Sequence, residues 1–183
     1  MIAEVSGIED TMEGRIRTLG VFSVLVFCLA CKSDGASREG VHDSTVAGAD
    51  EHERAAVEAV LDDWHAAAAR ADAERYFAHL AEDAIYLGTD ASERWTKEQF
   101  RAYADPHFAS GKGWTYEPRE RHVFVEPDVA WFDERLWNAK YGECRGTGVL
   151  RRDRGEWKIV HYSLTFPVPN EVAGEVVRLI RGQ

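Results

Sequence analysis

The chain has 183 residues and a formal net charge of −10, with 45% hydrophobic and 30% charged residues. That length fits one domain plus a tail, and the composition is that of a globular protein able to bury a sizeable core. Basic residues are scattered or interleaved with acids, so no one-sided basic footprint for nucleic acid exists, and the acidic balance suits a neutral or cationic ligand.

Met1 to Thr11 has no hydrophobic period, and Met12 makes a better start for the segment after it. From Met12 come Arg15 and Arg17, an apolar run from Leu19 to Ala30, and then Cys31. Basic, apolar and small residues in that order make residues 1–31 a secretory signal, too short for a comfortable membrane span. The ending Leu29-Ala30-Cys31 resembles the lipobox of bacterial lipoproteins, although Cys28 stands where that pattern has Leu. The resemblance implies lipidation at Cys31 and a place at the cell envelope, lipid-anchored or exported, with the membrane touched only through that lipid or signal. An ordinary cleaved signal or a buried helix is the alternative. Residues 32–50 are rich in Ser, Gly, Ala and Asp and lack large apolar groups, so they read as a flexible tether to a domain spanning 51–183.

In the domain, Val57, Val60, Leu61, Trp64 and Ala68 recur at helical spacing and predict a helix over 51–71. Asp72 caps a second, short helix carrying Tyr76, Phe77 and Leu80. Ala84 to Gly88 reads as a short strand. Thr96 and Gln99 form a capping box that opens a third helix, with Pro106 expected to kink or end it. From Trp114 the period becomes two, giving strands over 114–125 and 129–141 and a hairpin over 148–166. Asn170 is expected to cap a last helix with Val172, Val176, Leu179 and Ile180 on one side. Helices followed by a four-strand meander predict an α+β fold with helices on one face of a curved sheet.

The hairpin fixes the site expectations. Closing it through a four-residue loop, Asp153 to Glu156, pairs Arg152 with Trp157, Leu150 with Ile159, Gly148 with His161 and Gly146 with Ser163. Trp157, Ile159, His161 and Ser163 would then share one face. Both faces are largely apolar, so one needs helices and the other suits a second subunit. Cys28, Cys31 and Cys144 give no disulfide framework and no metal-type spacing, and Cys144 reads as an unpaired thiol. No phosphate loop, nucleophile elbow or His-Glu-x-x-His helix is present, so no cofactor or metal is implied.

The order helix, helix, strand, helix, four strands, with WHAAAARADAERYFAHLAEDAIYLGTD and RRDRGEWKIVHYSL, resembles the SnoaL-like and nuclear transport factor 2-like (NTF2-like) superfamily over about 53–166. The resemblance implies a cone whose sheet curls around the long helix, a pocket at its open end, and homodimers formed through the sheets. It also implies places for the isomerases' Asp base and Tyr oxyanion donor, which fall here on Gly88 and Trp64, so that mechanism is not inherited. The second His of the kinase hub domain's Val-His-x-His run is Ser163 here. Matching to the family pocket points Trp64, Tyr86, Trp131, Asp133 and His161 into one cavity, with Asp133 beside His161 as a general acid–base pair. The bland alternative has Asp133, Arg135 and His161 satisfying one another.

These residues support three functions. The first is an envelope-tethered binder of a small hydrophobic or aromatic molecule. The second is an isomerase, cyclase or dehydratase built on Asp133 and His161, and the third a non-catalytic dimerisation module.

Overall fold

A computed structural model of the protein describes residues 43–182, with side chains from Asp50 onward. The expected signal over 1–31, Cys31 and the tether as far as residue 42 lie outside the described residues. The first helix, α1, runs Asp43–Ala69, so it takes in the last residues of the expected tether. Extending an existing helix adds one hydrogen bond per residue fixed, and 43–50 contains no proline to stop it. Its core face is built from Val57, Leu61, Trp64 and Ala68, all buried. Burying a side chain such as Leu61 contributes about 2 kcal/mol.

Ala71, at φ 56, turns the chain out of α1. Asp72 then caps α2 (Ala73–Ala78), its carboxylate accepting from the Arg75 amide at 3.1 Å. Tyr76 and Phe77 carry α2 into the core. Strand β1 runs Leu80–Leu87, longer than expected, and pairs with a three-residue strand β2 (Arg94–Thr96) that the sequence pattern does not announce. Thr96 and Gln99 make the expected capping box for α3, Lys97–Ala109. The helix continues through Pro106. The donor lost there would have served the carbonyl of Ala102, which is exposed, so water can replace it.

The meander is β3 (Glu117–Val125), β4 (Val129–Asn138), β5 (Gly142–Asp153) and β6 (Glu156–Thr165). The six strands are ordered β2-β1-β6-β5-β4-β3, with β1 parallel to β6 and the other pairs antiparallel. The turn between β5 and β6 is tighter than expected: Asp153 pairs with Glu156, and Arg154 and Gly155 have φ 52 and 89. Two successive positive φ values match the right-handed twist of the flanking strands.

Arg152 faces Trp157 and Leu150 faces Ile159 as expected, but beyond them Val149 faces His161 and Gly148 faces Tyr162. A bulge at Val160 inserts one residue into β6, and a one-residue slip exchanges the faces of every later side chain. Tyr162 and Leu164 therefore turn inward with Ile159, while His161 and Ser163 turn outward. On β4 the buried set is Ala130, Phe132, Glu134 and Leu136, which leaves Trp131, Asp133, Arg135 and Trp137 on the outer face.

Helices α1 and α3 pack on the inner face of the sheet, giving the expected helix-on-curved-sheet plan. The last helix, α4, runs Ala173–Ile180, with Val172 at its N-cap and no side-chain cap, so Asn170 does not play the expected role. None of its residues is buried.

Candidate ligand-binding cleft

In an antiparallel meander the start of β3, the β4–β5 turn and the end of β6 all lie at one end of the sheet. Each place carries aromatic side chains: Trp114 and Tyr116 before β3, Tyr141 in the turn, Phe166 after β6. With the β1–β2 turn and α3 they enclose a cleft of about 230 Å³, to which Tyr86, Trp95, Phe100 and Tyr103 also contribute. Eight of its twelve lining residues are aromatic, the rest being Gly88, Thr89, Glu93 and Leu164.

The rings are ordered against one another. Tyr86 stacks on Phe100 at 3.9 Å between centroids with an 18° interplanar angle. Trp95 stacks on Phe100 at 5.5 Å and on Tyr103 at 5.1 Å. Tyr141 meets Phe166 at 4.8 Å. Such pairs add about 1 kcal/mol each beyond their buried area.

Among the described residues, Glu93 is the only charged one that lines the cleft. Its Oε2 accepts from the Asp90 amide at 3.1 Å, and its own carbonyl accepts from the Gly88 amide at 2.9 Å. Oε1 has no hydrogen-bond partner among the described residues. A Cβ at position 88 would stand 2.1 Å from Oε2, so glycine there is the condition for the carboxylate to fold over it. The phenols of Tyr86 and Tyr116 remain protonated. Burial first, then the neighbouring Tyr116, Glu93 and Tyr103, raises Tyr86 well above its ordinary value. Burial likewise leads in raising Tyr116 to about 12.

A second polar assembly lies inside the protein. The Glu134 carboxylate, wholly buried, accepts from His65 Nε2 at 2.8 Å and from Arg121 Nε at 2.9 Å, and Arg121 Nη1 donates to Asp62 at 2.7 Å. Burial pushes Glu134 upward, but these partners more than offset it and hold the carboxyl below its ordinary value. A Cβ at Gly146 would meet the Tyr162 hydroxyl at 2.4 Å and Glu134 Oε1 at 2.9 Å, so that glycine makes room for both. None of these residues lines the cleft. The network ties α1 to β3 and β4.

Of the residues expected in one cavity, only Tyr86 lines the cleft. Trp64 is buried one layer away, 5.1 Å from Tyr76 and 4.7 Å from Tyr162 between centroids, with its Nε1 unpaired. Trp131, Asp133 and His161 stand on the outer face. Asp133 is registered with His122 and Thr147, and His161 with Val149. Strand β5 separates them, a gap of roughly 10 Å or more. Asp133 and His161 are therefore not an acid–base pair, and Arg135 pairs instead with Glu120 and Glu143. Sequence periodicity did not single out Glu93, Tyr103, Trp114, Tyr116, Tyr141 or Phe166 as cleft residues. For Trp114, Tyr141 and Phe166 the signal was positional: aromatic residues beside Gly113, Gly142 and Pro167, at strand ends that a meander brings together.

A family model described as the SnoaL-like domain matches residues 57–169. None of the curated protein sequences matches the chain. Among solved structures, an NTF2-like protein of unknown function from Pseudomonas putida KT2440 aligns with TM-score 0.56 and 18% identity, over 69% of this chain and 92% of that one. An NTF2-like protein with a cystatin-like fold from Novosphingobium aromaticivorans aligns at 0.54 and 18%, over 75% and 99%. A protein from the same organism, provisionally named a scytalone dehydratase, aligns at 0.57 and 13%, over 67% and 89%. At these identities the likeness establishes a shared fold, an NTF2-like, cystatin-like α+β cone.

Proposed function

The chain belongs to the SnoaL-like domain family, and from that premise we propose that it binds a small hydrophobic or aromatic molecule in the cleft at the open end of the cone. The observation that carries this reading is the cleft itself, about 230 Å³ with eight aromatic side chains among its walls. Mostly apolar walls with a few convergent polar groups are what small-ligand sites present. Native mass spectrometry of the gently purified full-length chain tests it. A retained small molecule that is lost in Trp95→Ala supports the reading. A molecule retained equally by that variant, or a bare polypeptide, counts against it.

A second reading is favoured by the carboxylate over Gly88. Glu93 Oε1, without a partner among the described residues, supplies a proton acceptor, and the protonated phenols of Tyr86 and Tyr116 in the same cleft supply hydrogen-bond donors for an oxyanion. That arrangement suits proton abstraction next to a carbonyl, in an isomerase, cyclase or dehydratase that uses Glu93 in place of Asp133 and His161. The dehydratase name of a structural neighbour agrees with such chemistry. Turnover abolished in Glu93→Gln with ligand still bound would support it, and turnover unchanged would dismiss it.

Two further proposals concern place and assembly. The order of residues from Met12 to Cys31 supports export and lipidation at Cys31, which would tether the cone at the cell envelope. Exposed Phe124, Val129, Trp131 and Trp137 on the outer sheet face support homodimerisation through that face.

A further inference from the structure

Resting on the binding reading, we infer that the cleft takes a cation, an ammonium ion bearing small apolar substituents, rather than a neutral or anionic molecule. Twelve residues line the cleft, and their only formal charge is the carboxylate of Glu93. An anion would meet that charge at close range. An alkylammonium would be attracted by it and would lay its apolar substituents against the aromatic walls.

The geometry is suited to such a guest. Glu93 is half-buried, so its charge is less screened than at an open surface. Its Oε2 is held by the Asp90 amide, which fixes the carboxylate and leaves Oε1 available. In the same cleft wall, Tyr86, Phe100, Trp95 and Tyr103 form one stacked run, with 15° to 18° between successive planes, which makes a rigid apolar wall. Tyr141, in the β4–β5 turn, and Phe166, after β6, come from the same end of the sheet as the β1–β2 turn. Phenol oxygens of Tyr86, Tyr103 and Tyr116 add partial negative charge, and the proton affinity of Tyr86 is raised first by burial and then by Tyr116, Glu93 and Tyr103.

The chain already places a cation against one of these rings. Lys140 Nζ lies 4.6 Å from the Tyr141 ring centroid and donates to its hydroxyl at 2.8 Å. Both residues are exposed, so this contact sits at the rim and leaves Glu93 and the deeper rings to a ligand. Choice of a cation also agrees with the net charge of −10, which raises the local concentration of positive solutes.

Isothermal titration calorimetry on the full-length chain separates charge from shape by comparing choline with 3,3-dimethylbutan-1-ol, its uncharged isostere. Choline is expected to bind about tenfold more tightly, as desolvated cation–π contacts and one carboxylate allow. Glu93→Gln is expected to remove most of that advantage. Equal or tighter binding of the isostere overturns the charge assignment and leaves the cleft as a neutral site. If neither binds, 1-naphthol decides what has failed. Perturbation of the Trp95 and Trp114 indole resonances by it overturns only the charge assignment, and no perturbation overturns the binding reading as well.

Discussion

The carboxylate of Glu93 lies over the α-carbon of Gly88, in the space that any larger residue at position 88 would fill. The β1–β2 turn closes this arrangement through the Gly88 amide and the Glu93 carbonyl. Gly88→Ala should therefore push the carboxylate out of the cleft without unfolding the protein. We expect the choline preference to fall about as far as in Glu93→Gln, with a loss of stability of about 1 kcal/mol, within the ordinary range for one substitution. Calorimetry and urea unfolding measure the two effects. Unchanged choline affinity in Gly88→Ala would show that the carboxylate position is immaterial.

The buried Glu134 should matter for folding rather than for binding. Removing one partner from a buried ion pair typically costs about 3–5 kcal/mol because the other charge is stranded. Glu134→Ala leaves His65 and Arg121 facing an empty place inside the protein. Urea unfolding should show a loss of that size, and at permissive denaturant concentrations the cleft should still bind choline. A loss below about 1 kcal/mol would mean that Arg121 and His65 are satisfied elsewhere.

Asp63 gives the protein an acid-sensitive contact. A hydrogen bond from Arg75 is the chief cause, opposed by burial and aided by His79, and it holds the carboxyl at about 2, down from 3.8. A carboxyl depressed in the folded state contributes stability that is complete above the unfolded value and lost as pH falls through the folded one. The side chain is 26% exposed, so the contribution is modest. Between about pH 5 and pH 2, the urea midpoint of the wild type should fall more than that of Asp63→Asn. Parallel decline of the two would remove Asp63 from the acid response.

Trp131 stacks on Phe124 at 5.5 Å on the outer face, and both are nearly half exposed, at 43% and 49%. If two copies pair through this face, Trp131→Asp should convert a dimer to a monomer in sedimentation equilibrium while binding in the cleft persists. A wild type that sediments as a monomer at micromolar concentration would contradict the proposed assembly.

Most of the fold was legible because its signals are local. The Thr96–Gln99 capping box, the Asp72 cap and the period-two strands all rest on neighbours within a few residues. The face of His161 was not legible, because a single inserted residue at Val160 reverses the alternation and nothing in Trp157 to Phe166 marks it. That one bulge moved His161 outward and Tyr162 inward. On β4 the inner face carries a charged residue, Glu134, and the outer face two tryptophans, which inverts the usual polarity and disguised which side was the core. The cleft was half legible. Tyr86 came from matching to the family pocket, but Glu93 reaches its place only through the close approach to Gly88.

The claim that the ligand site is the cleft is tested most directly by the indole N–H resonances of the six tryptophans as 1-naphthol and choline are added. Trp95 and Trp114 line the cleft, Trp131 and Trp137 stand on the outer face, and Trp64 and Trp157 are buried. Assignment comes from single Trp→Phe variants. With the ligand in the cleft, the Trp95 and Trp114 resonances move saturably while those of Trp131 and Trp137 stay fixed. Movement of the outer-face pair instead, or of none, would contradict a site in the cleft.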